Sequence, residues 1–283
     1  MIKVSVSSYS FGGNYNSTEE GVIEMIEKAA KMGFDGIEFI EGALCTPEKA
    51  HIIKEKCEEV GITPVAFCVG ANFAIADKAA SDAEVERVCR FIDTTKEMGA
   101  TLLRHDVAYG PIKKGTGYDY AIPFMAENIR RVTEYAAKEG VRTMTENHGF
   151  FSQDALRVEK LINAVGHENF GALVDIGNFM CADEDPVKSV GVMAPYAFHV
   201  HCKDFYFKPG TDVNPGDGWF RSRGGNYLRG TVIGFGAAKA SQSIGILKRA
   251  GYDGYMTVEF EGGEDAMWGI RVGKDNILRF LGE

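Results

Sequence analysis

Lys31-Met-Gly33-Phe-Asp-Gly-Ile-Glu38, near the start of the chain, and Arg249-Ala-Gly251-Tyr-Asp-Gly-Tyr-Met256, near its end, are two copies of one junction. In each, a helical segment stops on Gly and a short apolar strand follows. Gly suits the left-handed position just past a helix C-terminus, where a side chain would meet a steric cost. The junction recurs at Glu59-Val-Gly61-Ile62, Glu97-Met-Gly99-Ala100 and Lys138-Glu-Gly140-Val141. Repetition of this unit predicts an α/β chain assembled from βα pairs.

Working outward from these stops, near-continuous apolar runs place strands at 3–8, 36–41, 64–69, 102–106, 142–147, 170–175, 198–203 and 255–261. Such runs are expected where both faces of a strand are covered. Helix starts are signalled by a capping box at Ser17-Thr-Glu-Glu20, by Thr46-Pro47 and by Ser81-Asp82. Eight strands, each followed by a helix or a helix-length segment, give a single (β/α)8 TIM barrel over residues 1–283. A doubly wound open sheet competes, but no glycine-rich phosphate loop follows the first strand. After the seventh strand, residues 205–236 form a long insertion expected to be irregular.

The formal net charge of −9 discourages binding to phosphate backbones, so nucleic acid is not an expected partner. The chain carries no run long enough to span a bilayer, and Met1-Ile-Lys-Val-Ser5 leads into a strand without signal-peptide features. Six cysteines are scattered without CxxC spacing, which reads as reduced core thiols in a cytoplasmic protein.

In a barrel of this type the chemistry sits where strands end. Strand five ends on Glu146-Asn-His148, strand six on Asp175, strand seven on His201-Cys-Lys203-Asp204, and strand eight on Glu259-Phe-Glu261. Neighbouring strands lie about 4.8 Å apart, so inward side chains on adjacent ends can meet at one ion. Glu146, Asp175, His201 and Glu259 would offer three oxygens and one nitrogen. That set suits Mn²⁺, Mg²⁺, Co²⁺ or Zn²⁺ with coordination positions left for substrate oxygens. Taken singly, each carboxylate could equally cap a helix or pair with a lysine.

Glu261 shares the inward parity of Glu259 and could replace or support it. Glu38 could meet a substrate hydroxyl across the mouth or cap a helix. His105 is a candidate substrate ligand or a structural histidine, His148 a candidate substrate contact, and His199 is read as structural. Lys203 could steady a developing oxyanion or form a surface ion pair. In the insertion, Trp219, Phe220, Arg221 and Arg223 are residue types that build lids and interfaces, with Trp219 and Arg221 as candidate substrate contacts.

Glu146-Asn-His-Gly149, Leu173-Val-Asp175, His201-Cys-Lys-Asp204 and Gly251-Tyr-Asp-Gly-Tyr-Met-Thr-Val-Glu259 carry a resemblance to the xylose-isomerase-like barrel superfamily. Over essentially the whole chain the sequence resembles its sugar and sugar-phosphate isomerase/epimerase group. The resemblance implies that Glu146, Asp175, His201 and Glu259 hold one divalent metal ion and that Glu146 and Glu259 also exchange protons with the substrate. Asn178 stands where many epimerases of the group have His, and Phe207 where an Arg would stand; both departures leave the metal set intact.

The expected reaction is isomerisation or epimerisation of a keto-sugar or polyol ketone through a metal-stabilised enediolate. Two alternatives accompany it: a lyase or dehydratase acting on an inosose or 3-oxo-glycoside, and a non-catalytic sugar-binding subunit that associates through residues 205–236, as a homo-oligomer would. A DNA repair endonuclease of the same superfamily fits poorly with the acidic charge.

Overall fold

The computed structural model describes residues 2–110 and 113–282. Seven strands come first: β1 (Lys3–Ser7), β2 (Gly36–Ile40), β3 (Thr63–Val69), β4 (Leu102–His105), β5 (Arg142–Glu146), β6 (Phe170–Asp175) and β7 (Ala197–Cys202). Four more follow: β8 (Asp204–Lys208), β9 (Phe220–Arg221), β10 (Tyr227–Thr231) and β11 (Tyr255–Val258). Eight of these close a parallel barrel in the order β1-β11-β7-β6-β5-β4-β3-β2. The eight expected strands are all present, and the last stops at Val258, so Glu259 to Glu261 extend beyond the ladder.

Helices α1 (Gly13–Asn16), α2 (Glu19–Lys31), α3 (Ala50–Val60), α4 (Lys78–Glu97), α5 (Tyr118–Glu139), α6 (Ala155–Val165), α7 (Pro186–Met193), α8 (Ala240–Arg249) and α9 (Ala266–Leu281) complete the chain. The main apolar core packs between helices and barrel, with Met25, Ile53, Ile92, Ile129 and Leu161 fully buried. Among the described residues no helix is long and apolar enough to cross a membrane. All five predicted helix stops lie at positive φ: Gly33, Gly61, Gly99, Gly140 and Gly251.

The helix starts are placed less well by the sequence. Thr18, not Ser17, caps α2 by accepting the Gly21 amide, and Asp77 caps α4 upstream of Ser81. Thr46 accepts the Lys49 and Ala50 amides through its carbonyl in a turn that precedes α3.

The insertion is not irregular. β8, β10 and β9 form an antiparallel three-stranded sheet beyond the mouth of the barrel. Its base is knotted by Asp204, whose buried carboxylate accepts the amides of Phe205, Gly234, Gly236 and Ala238 at 2.8 to 3.0 Å. Its tip is pinned by Asp183, which accepts the Ser222 hydroxyl and the Asn226 amide, and by Arg223, which donates to the Phe150 carbonyl and pairs with Asp154. The sheet is therefore tied to the loops after β5 and β6.

Candidate active site

Glu146 and Asp175 are the last residues of β5 and β6, His201 lies one short of the end of β7, and Glu259 follows β11. Because β5, β6, β7 and β11 are successive neighbours in the barrel, the inward side chains at these ends converge. One ligand atom from each of the four lies within 4.8 Å of every other. Asp175 Oδ1 accepts the Gly177 and Asn178 amides at 2.7 and 2.8 Å, while its Oδ2 is buried without a hydrogen-bond partner. His201 Nδ1 is likewise buried without a hydrogen-bond partner, with Glu259 Oε2 3.3 Å away. Native interiors rarely leave such atoms unsatisfied, and a divalent cation fits both at once. The donor chemistry of the quartet passes the same test.

The four side chains are held from behind. Glu38 sets its two oxygens 2.9 and 2.8 Å from His201 Nε2, and one of them lies 3.1 Å from His199 Nε2. His199 Nε2 also lies 2.8 Å from the Thr257 hydroxyl, which bonds Ser5 at 2.6 Å, so a polar ladder runs down the barrel interior. Glu146 Oε2 meets Arg104 at 2.6 Å and Oε1 accepts the Asn178 side-chain amide at 2.8 Å. Lys203 Nζ lies 2.6 Å from Glu259, 3.2 Å from Glu261 and 3.6 Å from Asp175. Asn147 bonds both backbone groups of Asp175 at 2.9 Å, locking β5 to β6 beside the site.

Burial dominates the titration of Asp175 and, aided by the charges of Glu259 and Glu146 against that of Lys203, pushes its carboxyl up to about 7. Burial also opposes ionisation of Glu259, but Lys203 and His201 outweigh it and hold that carboxyl well below the usual range. For His201 burial favours the neutral ring; Glu38 and Glu259 prevail and keep the imidazolium well above its ordinary range.

A cavity of about 320 Å³ opens above these groups, lined by Glu38, Glu146, His201, Lys203, Glu259 and Glu261 together with Tyr9, Cys68, Arg104 and His148. His148 Nδ1 lies 2.9 Å from Asp106, which also binds Arg104 and Tyr109. The structure thus brings Glu38, His148 and Lys203 to the quartet, with Glu38 lying under His201 at the floor of the cavity.

Three other candidates lie elsewhere. His105 has the opposite strand parity and points out of the barrel, between the Phe73 and Phe170 rings, where burial lowers its imidazole to about 4. Arg221 donates to the Gly225 carbonyl and the Tyr227 hydroxyl inside its own hairpin. Trp219 sits 6.0 Å from the Lys208 ammonium, away from the residues that line the cavity.

Sequence reasoning passed over Arg104, Asp106 and Tyr9. The signal for Arg104 was present: a charged residue within the run Thr101-Leu-Leu-Arg-His105, in register with Cys68 and Met144 on the neighbouring strands.

The chain matches the xylose isomerase-like TIM barrel family over residues 26–276. Among solved structures it is similar to an L-ribulose 3-epimerase, with a TM-score of 0.78, 16% identity, and coverage of 100% of this chain and 95% of that one. A D-psicose 3-epimerase with D-tagatose from Clostridium cellulolyticum H10 gives a TM-score of 0.77 at 16% identity, covering 99% of each chain. The IOLI protein with a binding zinc atom gives 0.77 at 17% identity, covering 99% of this chain and 98% of that one. No curated protein matches the sequence.

Proposed function

The chain belongs to the xylose isomerase-like TIM barrel family, and from that premise we propose that it is a divalent-metal-dependent isomerase or epimerase of a keto-sugar or related polyol ketone. The observation that carries this reading is the convergence of Glu146, Asp175, His201 and Glu259, with Asp175 Oδ2 and His201 Nδ1 buried and lacking hydrogen-bond partners between two glutamates that each bear a cation partner. Glu146, Asp175, His201 and Glu259 would hold the metal, with Mn²⁺, Mg²⁺, Co²⁺ and Zn²⁺ all compatible with the donor set. When bound, the ion would polarise a carbonyl and its neighbouring hydroxyl, making the adjacent carbon acidic.

The protein then supplies a base and an acid. β5 and β11 are separated around the rim by β6 and β7, so Glu146 and Glu259 approach a bound substrate from different sides. One removes the carbon-bound proton and the other returns a proton, to the opposite face in epimerisation or to the neighbouring carbon in isomerisation. Arg104 fixes Glu146, Lys203 fixes Glu259, and His148 stands on the wall within reach of a hydroxyl.

A second reading, elimination from an inosose or 3-oxo-glycoside, is favoured by the Asp106–His148 pair, which presents an oriented imidazole to a leaving oxygen. Support for carbohydrate as substrate comes from the similar D-psicose 3-epimerase with D-tagatose, and for a metal from the similar IOLI protein with zinc. Six free cysteines, five of them buried, support a reducing, cytoplasmic setting. Phe207 and Phe220, exposed on the insertion, support that sheet as the surface for a second subunit.

The test is incorporation of deuterium from D2O into a panel of ketoses and inososes by metal-loaded protein. Glu146→Gln and Glu259→Gln should each lower exchange by about 100-fold or more while the fold survives, since an amide cannot act as a base. Near wild-type exchange in both variants would refute the assignment, and loss of water rather than exchange would select the elimination reading.

A further inference from the structure

The proton-transfer groups occupy only part of the space at the barrel mouth. Between the turn after β1 and the segment after β11 lies a second cavity of about 460 Å³, lined by Ser10, Phe11, Gly12, Gly13, Asn16, Phe260, Gly262, Glu264 and Ala266. It shares Tyr9, Ile40 and Glu261 with the catalytic cavity, so the two adjoin as neighbouring lobes at the barrel mouth. Small-molecule sites run from about 300 to 1,000 Å³, and the catalytic lobe alone meets the lower end of that range.

The second lobe is a built structure. Ser10 Oγ donates to the Val258 carbonyl at 3.3 Å and accepts the Phe260 amide at 2.8 Å, stitching its two walls together. Asn16 donates to the Ser8 carbonyl at 3.0 Å and braces the turn. Phe11 and Phe260 form apolar walls, each only 5% exposed. Gly12 and Gly13 leave their side open, since a Cβ at either would meet nothing within 4 Å. Among the described residues its charged liners are Glu261 and Glu264. Glu261 is already paired with Lys203, and Glu264 accepts the Thr231 hydroxyl at 2.9 Å with its other oxygen buried and unpartnered.

We infer that the substrate carries a second, uncharged, hydroxylated ring that seats in this lobe while the keto-sugar portion lies over Glu146 and Glu259. Phe11, Phe260 and Ile40 offer apolar faces to a ring, and the Tyr9 hydroxyl offers a polar group to its hydroxyls. A phosphate or carboxylate there would face acidic groups without a free cation among the liners. The inference builds on the proposed sugar chemistry; the ring itself could come from a second sugar residue or from a phenolic aglycone.

Calorimetry on the metal-loaded protein would compare D-fructose, D-fructose 6-phosphate, the glucosyl ketose maltulose and the phenolic glucoside arbutin. At least one two-ring probe should bind about tenfold or more tightly than D-fructose, equivalent to about 1.4 kcal/mol. A gain for maltulose assigns the lobe to a sugar ring, and a gain for arbutin assigns it to a phenol. Ala266→Trp, which fills the lobe, should bring the two-ring to one-ring ratio back toward unity; Gly13→Leu does the same from the opposite wall should the first variant fold poorly. No gain, a gain that survives both fillings, or tightest binding of the phosphate ester would overturn the inference. Deuterium exchange into D-fructose, followed on the same samples, separates the two readings. Exchange without a two-ring gain defeats the lobe, whereas a lobe-dependent gain with no exchange into any ketose defeats the proposed reaction.

Discussion

Glu38 is fully buried, and both its oxygens face His201 Nε2, which fixes which nitrogen of that ring is left for a metal. Glu38→Gln keeps the shape but removes the charge, and support of this kind is worth about 10- to 100-fold in metal affinity. Chelator competition should read a loss of that size with the fold unchanged; unaltered affinity would reduce Glu38 to packing. Metal binding should also weaken as pH falls. The metal-free site holds a proton on Asp175 below about 7, and that proton competes with the cation. Affinity measured from pH 8 to pH 5 should therefore drop progressively, and a flat profile would contradict the assignment of Asp175 as a ligand. At this scale the strand-end carboxylates and His201 were legible because each follows an apolar run directly. Arg104 and His105 were misweighted because adjacent residues on a strand face opposite sides, and only the barrel register shows that Arg104 is the inward one.

The elements were legible to different degrees for physical reasons. Strand positions follow from apolar runs and helix stops from the left-handed glycines, both of which are local. Residues 205–236 look irregular because a glycine-rich stretch carries little period-2 patterning, and the contacts that order it are distant in sequence. Asp204 is the clearest of these, since four amides from both ends of the insertion converge on it. Asp204→Ala would strand the Phe205 and Ala238 amides in a buried setting, each at about 1 to 3 kcal/mol, and would also break the half-buried bonds of Gly234 and Gly236. Chemical denaturation should show a loss of at least about 3 kcal/mol, among the larger single-residue effects. Trp219→Ala serves as the contrast. The indole packs near Lys208 outside the cavity, so KM and metal content should stay within about twofold of wild type, as for a surface change. A large rise in KM would instead mean that the sheet closes over the substrate.

For the whole molecule, Asp175 is one position where burial of a carboxylate costs stability. Asp175 has an ordinary carboxyl value of 3.8 that folding raises to about 7, so the metal-free native state binds a proton more tightly than the unfolded chain does. By linkage, the stability tied to that proton is fully present below 3.8, is lost as pH rises through about 7, and stays absent above it. The metal-free protein at pH 8 therefore bears a penalty on the order of a few kcal/mol at this one position. A bound cation reverses the sign, because a ligand that binds only the native state stabilises it by about 2.7 kcal/mol at 100 times its Kd. For a chain of this size that corresponds to a rise in Tm of roughly 5 °C. Asp175→Asn separates the two effects. The amide oxygen can still accept the Gly177 and Asn178 amides, while its NH2 group takes the place of the unpartnered Oδ2 beside the Glu146 and Glu259 carboxylates. At pH 8, stripped of metal, the variant should melt no lower than stripped wild type, and it should gain little when metal is added. If it melted well below stripped wild type, Asp175 would be a structural residue that happens to face the cavity; if it kept the full metal-dependent rise in Tm, the ion would be held elsewhere.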